Sequence, residues 1–202
     1  MRSAGAAAEW MRAGLISFFL LQAALHPSVS QAQASANDVV AVVLGEEIRR
    51  APGIEGQELL GIVLVPLMLR YADENALEPT ELEIDALLAA MSAPPESDAA
   101  EVAERREVAR QVVMSYKISR SLYQEYGGRV VFQQAGPWPI DAYRSFLEER
   151  QEAGAFRILD PDLVAGFWEY LADDTAHSFY PPDEAEAAVS TPWWQRPPGS
   201  QP

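Results

Sequence analysis

Glu169, Asp173 and His177 follow one another at intervals of four, and on a continuous helix they would share one face. Two carboxylates and an imidazole so placed make a chelate for a zinc-like transition metal, with Asp174 one position round as a further ligand. The competing reading is a histidine near a helix C-terminus, where the backbone dipole favours partial positive charge. Charge stripes are also common on exposed helices. That second reading is preferred, so no metal and no cofactor are expected.

Nucleophilic catalysis has less to work with. The chain has no Cys and no G-x-S-x-G, and Ser178 sits next to His177, where a helix cannot turn the two toward each other. The pairs Asp160/Asp162 and Asp173/Asp174 are the residue types of glycoside hydrolysis, but such carboxylates must flank a substrate cleft. Asp160 and Asp162 are better read as the start of a helix. No phosphate loop, dinucleotide fingerprint or calcium loop occurs. Enzymatic activity is not expected.

The chain is 202 residues long, and 49% of them are hydrophobic, enough for one cored domain with at most a small appendage. Lys and Arg number 15 against 30 Asp and Glu, a net charge of −15 that nucleic acid and anionic membranes would repel. The absence of Cys removes disulfides, thiol nucleophiles, Cys-ligated zinc and a lipoprotein anchor.

Residues 15–25 (LISFFLLQAAL) are apolar, follow Arg12, and precede a polar stretch ending Ala32-Gln33-Ala34. That is the layout of a secretory signal peptide, with cleavage expected between Ala34 and Ser35. The run is too short to span a bilayer, which takes about 20 apolar residues. A start at Met11 gives a tidier signal than Met1, because Glu9 drops out; both starts remain open. Cleavage leaves 168 residues with 13 basic and 29 acidic side chains, net −16, and His177 as the sole histidine.

The remaining chain reads as mainly helical. Residues 39–44 (VVAVVL) are a β-branched run, followed by Gly45-Glu46 as a tight turn and a second short strand through Ile48. Residues 58–76 carry Leu59, Ile62, Val63, Leu67 and Tyr71 at helical spacing, with Pro66 predicting a kink or a start near Val65. Thr80 and Glu83 form a capping box that begins a helix to about Met91. A linker at 92–97 (SAPPES) marks a sub-boundary, and a long helix over 98–126 stops at Gly127-Gly128. Its stripe of Val108, Val112, Val113, Tyr116, Leu122, Tyr123 and Tyr126 requires a partner surface, from other helices, a dedicated protein or a second copy. Residues 129–134 are strand or extended connection, a helix runs over about 140–152, and Asp160-Pro161 starts another. From 181 to 202 six of 22 residues are proline, predicting a flexible tail; the Trp193-Trp194 pair in it is costly to leave in water, and whether it docks back is left open by the sequence.

Aromatic residues crowd the C-terminal half. Phe132, Trp138, Tyr143, Phe167 and Trp168, with Gln133 and Gln134 to meet a peptide backbone, are candidates for a peptide-binding groove. The same residues equally suit a hydrophobic core, and burial statistics favour that.

Three stretches resemble the N-terminal region of the SurA, PpiD and PrsA group of exported chaperones and peptidyl-prolyl isomerases. They are VVAVVLGEEI at 39–48, LRYA at 69–72, and LEPTELEID at 77–85. The chain departs from that pattern at Leu44, where Asn is usual, and at Pro66. The resemblance covers about a third of residues 35–202 and implies a periplasmic, helical, chaperone-like domain over 35–180 that holds unfolded or partly folded polypeptides. It does not imply isomerase activity, because a parvulin module carries paired histidines and only His177 follows residue 34. The expected function is therefore non-catalytic polypeptide binding as a chaperone or assembly factor. A helical interaction subunit or homodimer is the alternative, and a metal-dependent enzyme the third reading.

Overall fold

The computed structural model describes residues 38–91, 98–133 and 136–196. The signal-like segment 1–34, the linker 92–97 and Gln134 lie outside them. The fold is mainly α with a small sheet. Strands β1 (Val39–Val43) and β2 (Glu46–Arg49) pair as an antiparallel hairpin whose turn is Leu44-Gly45, both at positive φ (51° and 89°). Two such residues give the turn whose twist matches the strands. Asn would suit the first better, but the Leu44 side chain packs on the main core and compensates for its backbone strain.

Helix α1 (Gly56–Glu74) begins well before Val65 and runs through Pro66. Its start is held by the Glu58 carboxylate, which accepts from the Glu55 amide at 2.9 Å. The proline removes one ladder bond, a loss of about 3 kcal/mol in an exposed helix. Here eight apolar side chains of α1 (Leu59, Leu60, Val63, Leu64, Leu67, Met68, Tyr71 and Ala72) are buried, at about 1.5–3 kcal/mol for each large one, so burial outweighs it.

Helix α2 (Glu81–Ala90) starts at the expected capping box, with Thr80 Oγ1 accepting from the Glu83 amide at 3.3 Å and Glu83 accepting from the Thr80 amide at 2.8 Å. Helix α3 (Ala99–Tyr126) is capped by Asp98, which accepts from the Glu101 amide at 2.9 Å, and stops at Gly127 as expected. Helix α4 (Ile140–Glu152) leads into strand β3 (Phe156–Ile158), which pairs antiparallel with the other edge of β1, giving the order β2-β1-β3. Helix α5 (Pro161–Ala172) follows, its N-cap Asp160 accepting from the Asp162 amide at 3.0 Å and ion-pairing with Arg50.

Within the expected flexible tail, the described residues 181–196 instead include regular, packed structure. Pro182 opens helix α6 (Pro182–Ser190), and a 3-10 turn follows at Trp193–Gln195. Proline at the first helical position lacks only a donor that would have had no intrahelical partner. Ala185, Ala188 and Val189 of α6 are buried against Val130, with Tyr123 and Phe132 alongside.

The main core gathers β1, α1, α4, α5 and the C-terminal half of α3. At its centre α1 lies directly on α5. A Cβ on Gly56 would fall 2.3 Å from the Gly166 carbonyl carbon, so the helices touch backbone to backbone. The stripe of α3 is met within the same chain by α1, α2, α4 and α6, so it needs no second copy. Hydroxyls bind α3 to its neighbours: Tyr71 Oη lies 2.8 Å from Ser121 Oγ and donates to Glu125 at 3.0 Å. Tyr143 Oη lies 3.0 Å from Ser119 Oγ, and Tyr126 donates to Glu149 at 2.7 Å.

Two stability measurements check this packing. Gly56→Ala pushes a methyl into backbone that no rotamer change can move, and should lower unfolding free energy in denaturant by about 3 kcal/mol or more. Gly166→Ala meets Gly56 at 3.3 Å, and its strain is offset by about 1 kcal/mol of helix propensity, so it should be near neutral. In base, burial raises the Tyr143 phenol to about 12, and burial also raises Tyr71 and Tyr126. Unfolded phenols ionise first, so the stability these groups contribute is intact below pH 10 and is lost as pH climbs toward 12. Tyrosinate absorbance and helical circular dichroism should therefore change together across that window.

Candidate functional site

The triad read from the sequence does not assemble. Helix α5 ends at Ala172, so Asp173 and His177 leave the face that carries Glu169. Asp173 turns back on its own loop, accepting from the Thr175 amide at 2.8 Å and the Thr175 hydroxyl at 2.6 Å, and these bonds hold its carboxyl below the ordinary range. Asp174 accepts from Arg129 Nη1 at 2.6 Å. The same guanidinium grips Asp141 with two bonds of 2.9 Å and stacks over Phe179 at 4.7 Å. His177 donates from Nε2 to the Tyr170 carbonyl at 2.8 Å, with Tyr170 edge-on at 4.9 Å and Phe179 and Trp138 beyond. Among the described residues no group of three or more His, Asp or Glu is placed to hold a metal. These carboxylates cap helices and close loops.

The aromatic candidates divide. Trp138, Tyr143 and Phe167 are 7%, 2% and 0% exposed and belong to the main core, so they line no open groove. Trp168 is partly buried, edge-on to Phe167 at 5.0 Å. Phe132 is partly buried against Tyr180 at 5.7 Å, and its amide donates to the Ser178 carbonyl. Gln133 is partly buried and accepts through its carbonyl from the Gly136 amide at 3.0 Å. Tyr180 donates back to Val130, so residues 130–132 lie extended between residues 138 and 178–180. A peptide cannot pair there without displacing this chain.

A different apolar surface is set apart from the main core. Helices α2 and α3 form a hairpin whose inner faces contribute Ile84, Leu87, Ala109 and Val113, all at most 1% exposed, with Leu88, Met91 and Val112 at the margin. Ile84, Leu87, Leu88 and Met91 follow the i, i+3, i+4, i+7 rule of a helix face, a signal present in the sequence. The Trp193-Trp194 pair packs against this cluster, with both indoles partly buried.

The two indoles stand perpendicular at 5.4 Å, Trp194 meets the edge of Tyr116 at 5.2 Å, and Trp193 covers Gly136. Tyr116 donates to the Ser190 carbonyl at 2.8 Å, and Arg196 turns back onto the carbonyls of Ala188 and Thr191. Both indoles remain partly exposed, and the buried Trp194 Nε1 meets no acceptor among the described residues. An ionic comb borders the hairpin. Arg106 bonds Asp85 at 2.7 Å and also Glu81, Arg110 bonds Glu81 at 2.8 Å, and Lys117 bonds Glu83 at 3.2 Å and the Glu78 carbonyl at 2.8 Å. The arginine pairs hold the Glu81 carboxyl below its ordinary range.

This cluster, the seat of the two indoles, thus already receives aromatic side chains from a separate stretch of polypeptide. Its energetics can be read by denaturant unfolding. Tyr116→Phe removes one hydrogen bond and should cost about 1 kcal/mol. Trp194→Ala removes partly buried aromatic area and the edge contact with Tyr116, and should cost about 2 kcal/mol. No family model, curated protein or solved structure matches the chain.

Proposed function

We propose that this protein is a non-catalytic polypeptide-binding protein, a periplasmic chaperone or assembly factor of the kind its strand-turn and capping-box stretches resemble. The observation that supports this reading is the apolar seat on α2 and α3, against which a polypeptide segment bearing adjacent aromatics is packed. Recognition through aromatic and aliphatic side chains tolerates many sequences, which a holder of unfolded chains needs. The surplus of 15 acidic over basic residues gives complexes a common charge that keeps them apart in solution. No described helix is long and apolar enough to cross a membrane.

The test is suppression of aggregation when several unrelated, chemically unfolded proteins are diluted into a near-equimolar solution of the purified protein. Reduced light scattering for most of them is the expected result. No reduction for any of them would overturn the reading. Recovery of one stoichiometric partner without general suppression would establish a dedicated interaction subunit instead.

A further inference from the structure

Residues 181–196 are attached in two unequal ways. Helix α6 is anchored by three buried side chains, Ala185, Ala188 and Val189, on a cluster with Val130 and Tyr180. The 3-10 turn beyond it has no buried residue. Its described ties to α2 and α3 are the seating of two partly exposed indoles and the adjacent bond from Tyr116 to Ser190. An anchored helix with a lightly held aromatic end is a tethered ligand. It stays beside its seat at high effective concentration whether docked or undocked.

We propose that the Trp193-Trp194 turn is an intramolecular strap that covers the polypeptide-binding seat on α2 and α3 and yields it to an extended segment bearing adjacent aromatic side chains. This rests on the binding reading above and names the seat and the class of segment it takes. The occupant defines the chemistry: two neighbouring aromatics pack on the apolar seat of Ile84, Leu87, Ala109 and Val113, while one backbone carbonyl near them accepts from Tyr116. A competing segment that supplies the same groups replaces the strap contact for contact. The strap lowers apparent affinity by the fraction of molecules in which the seat is filled. It also keeps the apolar seat out of water when no segment is bound.

The test uses the whole protein and its Trp193→Ala/Trp194→Ala variant, with a fluorescent synthetic peptide of the sequence of residues 190–196 as probe. Circular dichroism of both proteins confirms the fold. The strap predicts that the variant binds the probe at least about threefold more tightly than the unaltered protein. A control peptide with both Trp replaced by Ser should bind neither. Arg196→Ala, which removes the strap's own bonds to the Ala188 and Thr191 carbonyls and leaves the seat and Tyr116 in place, should shift affinity in the same direction by less, and serves if the double variant fails to fold. Added unfolded client should accelerate amide exchange in residues 191–196 of the unaltered protein.

Equal or weaker probe binding by both variants, or unchanged exchange on client binding, would overturn the strap. If aggregation suppression persists alongside that result, the binding function stands and only the strap is lost. If neither protein suppresses aggregation or binds the probe, both proposals fall.

Discussion

Where α1 meets α5, two backbones approach with no side chain between them, and the arrangement of the main core follows from that contact. Gly56 and Gly166 are the residues in register at the crossing, and one added methyl on Gly56 would overlap the opposite main chain. Close approach brings the apolar stripe of α1 onto Leu163, Phe167 and Leu171 of α5. Phe167 in turn stacks against Phe156 of β3, at 5.8 Å, and β3 pairs with β1. One crossing thereby sets the distance of the small sheet from the helices. The ion pair from Arg50, just past β2, to the α5 cap Asp160 ties the hairpin to the same helix from outside. Close packing of this kind has little slack, so error at the crossing propagates to the sheet.

The polar groups of the molecule are spent on joining elements. Arg129 is the clearest case, since its backbone amide and guanidinium hold Asp141 at the start of α4 and Asp174 beyond α5. The pairing keeps the Asp141 carboxyl below its usual range, mainly through the bond to Arg129. Its contribution to stability is present above the ordinary carboxylate range and is lost as pH falls through the lowered value. His177 follows the same logic, with its ring among aromatics and its Nε2 on a carbonyl. Residues whose types suggested chemistry are in these places because loops joining helices need their main-chain groups satisfied.

Elements with local instructions were legible in the sequence. The Thr80-Glu83 box, the Asp160-Pro161 start and the Gly127 stop each act within one helical turn, and each appears where its residues place it. Strand β3 was not legible, because three residues carry no periodicity and the strand exists only because β1 offers a free edge. Helix α6 was obscured by proline count, although Pro182 does for it what Pro161 does for α5. The aromatics of the C-terminal half show another limit. Spacing says that Trp138, Tyr143 and Phe167 are apolar anchors, but only the tertiary arrangement decides whether an anchor faces a groove or a core. The α2–α3 seat was legible only in the stripe of α2, because the sequence shows that the Trp pair is costly to leave in water but not where, or whether, it docks.

The seat and its cover are far apart along the chain. Ile84 and Trp193 are separated by 109 positions, whereas the ends of α2 and α3 that build the seat are joined by a short link. Contacts at long sequence separation close late, because loop entropy opposes them until intervening structure has formed. During synthesis, therefore, the α2–α3 hairpin is complete while 76 of the 202 residues, the Trp pair among them, are still to be made. Until the protein's own tryptophans arrive, the part of the hairpin's apolar face that they cover has no partner from residues 193–194 and is open to any aromatic segment nearby.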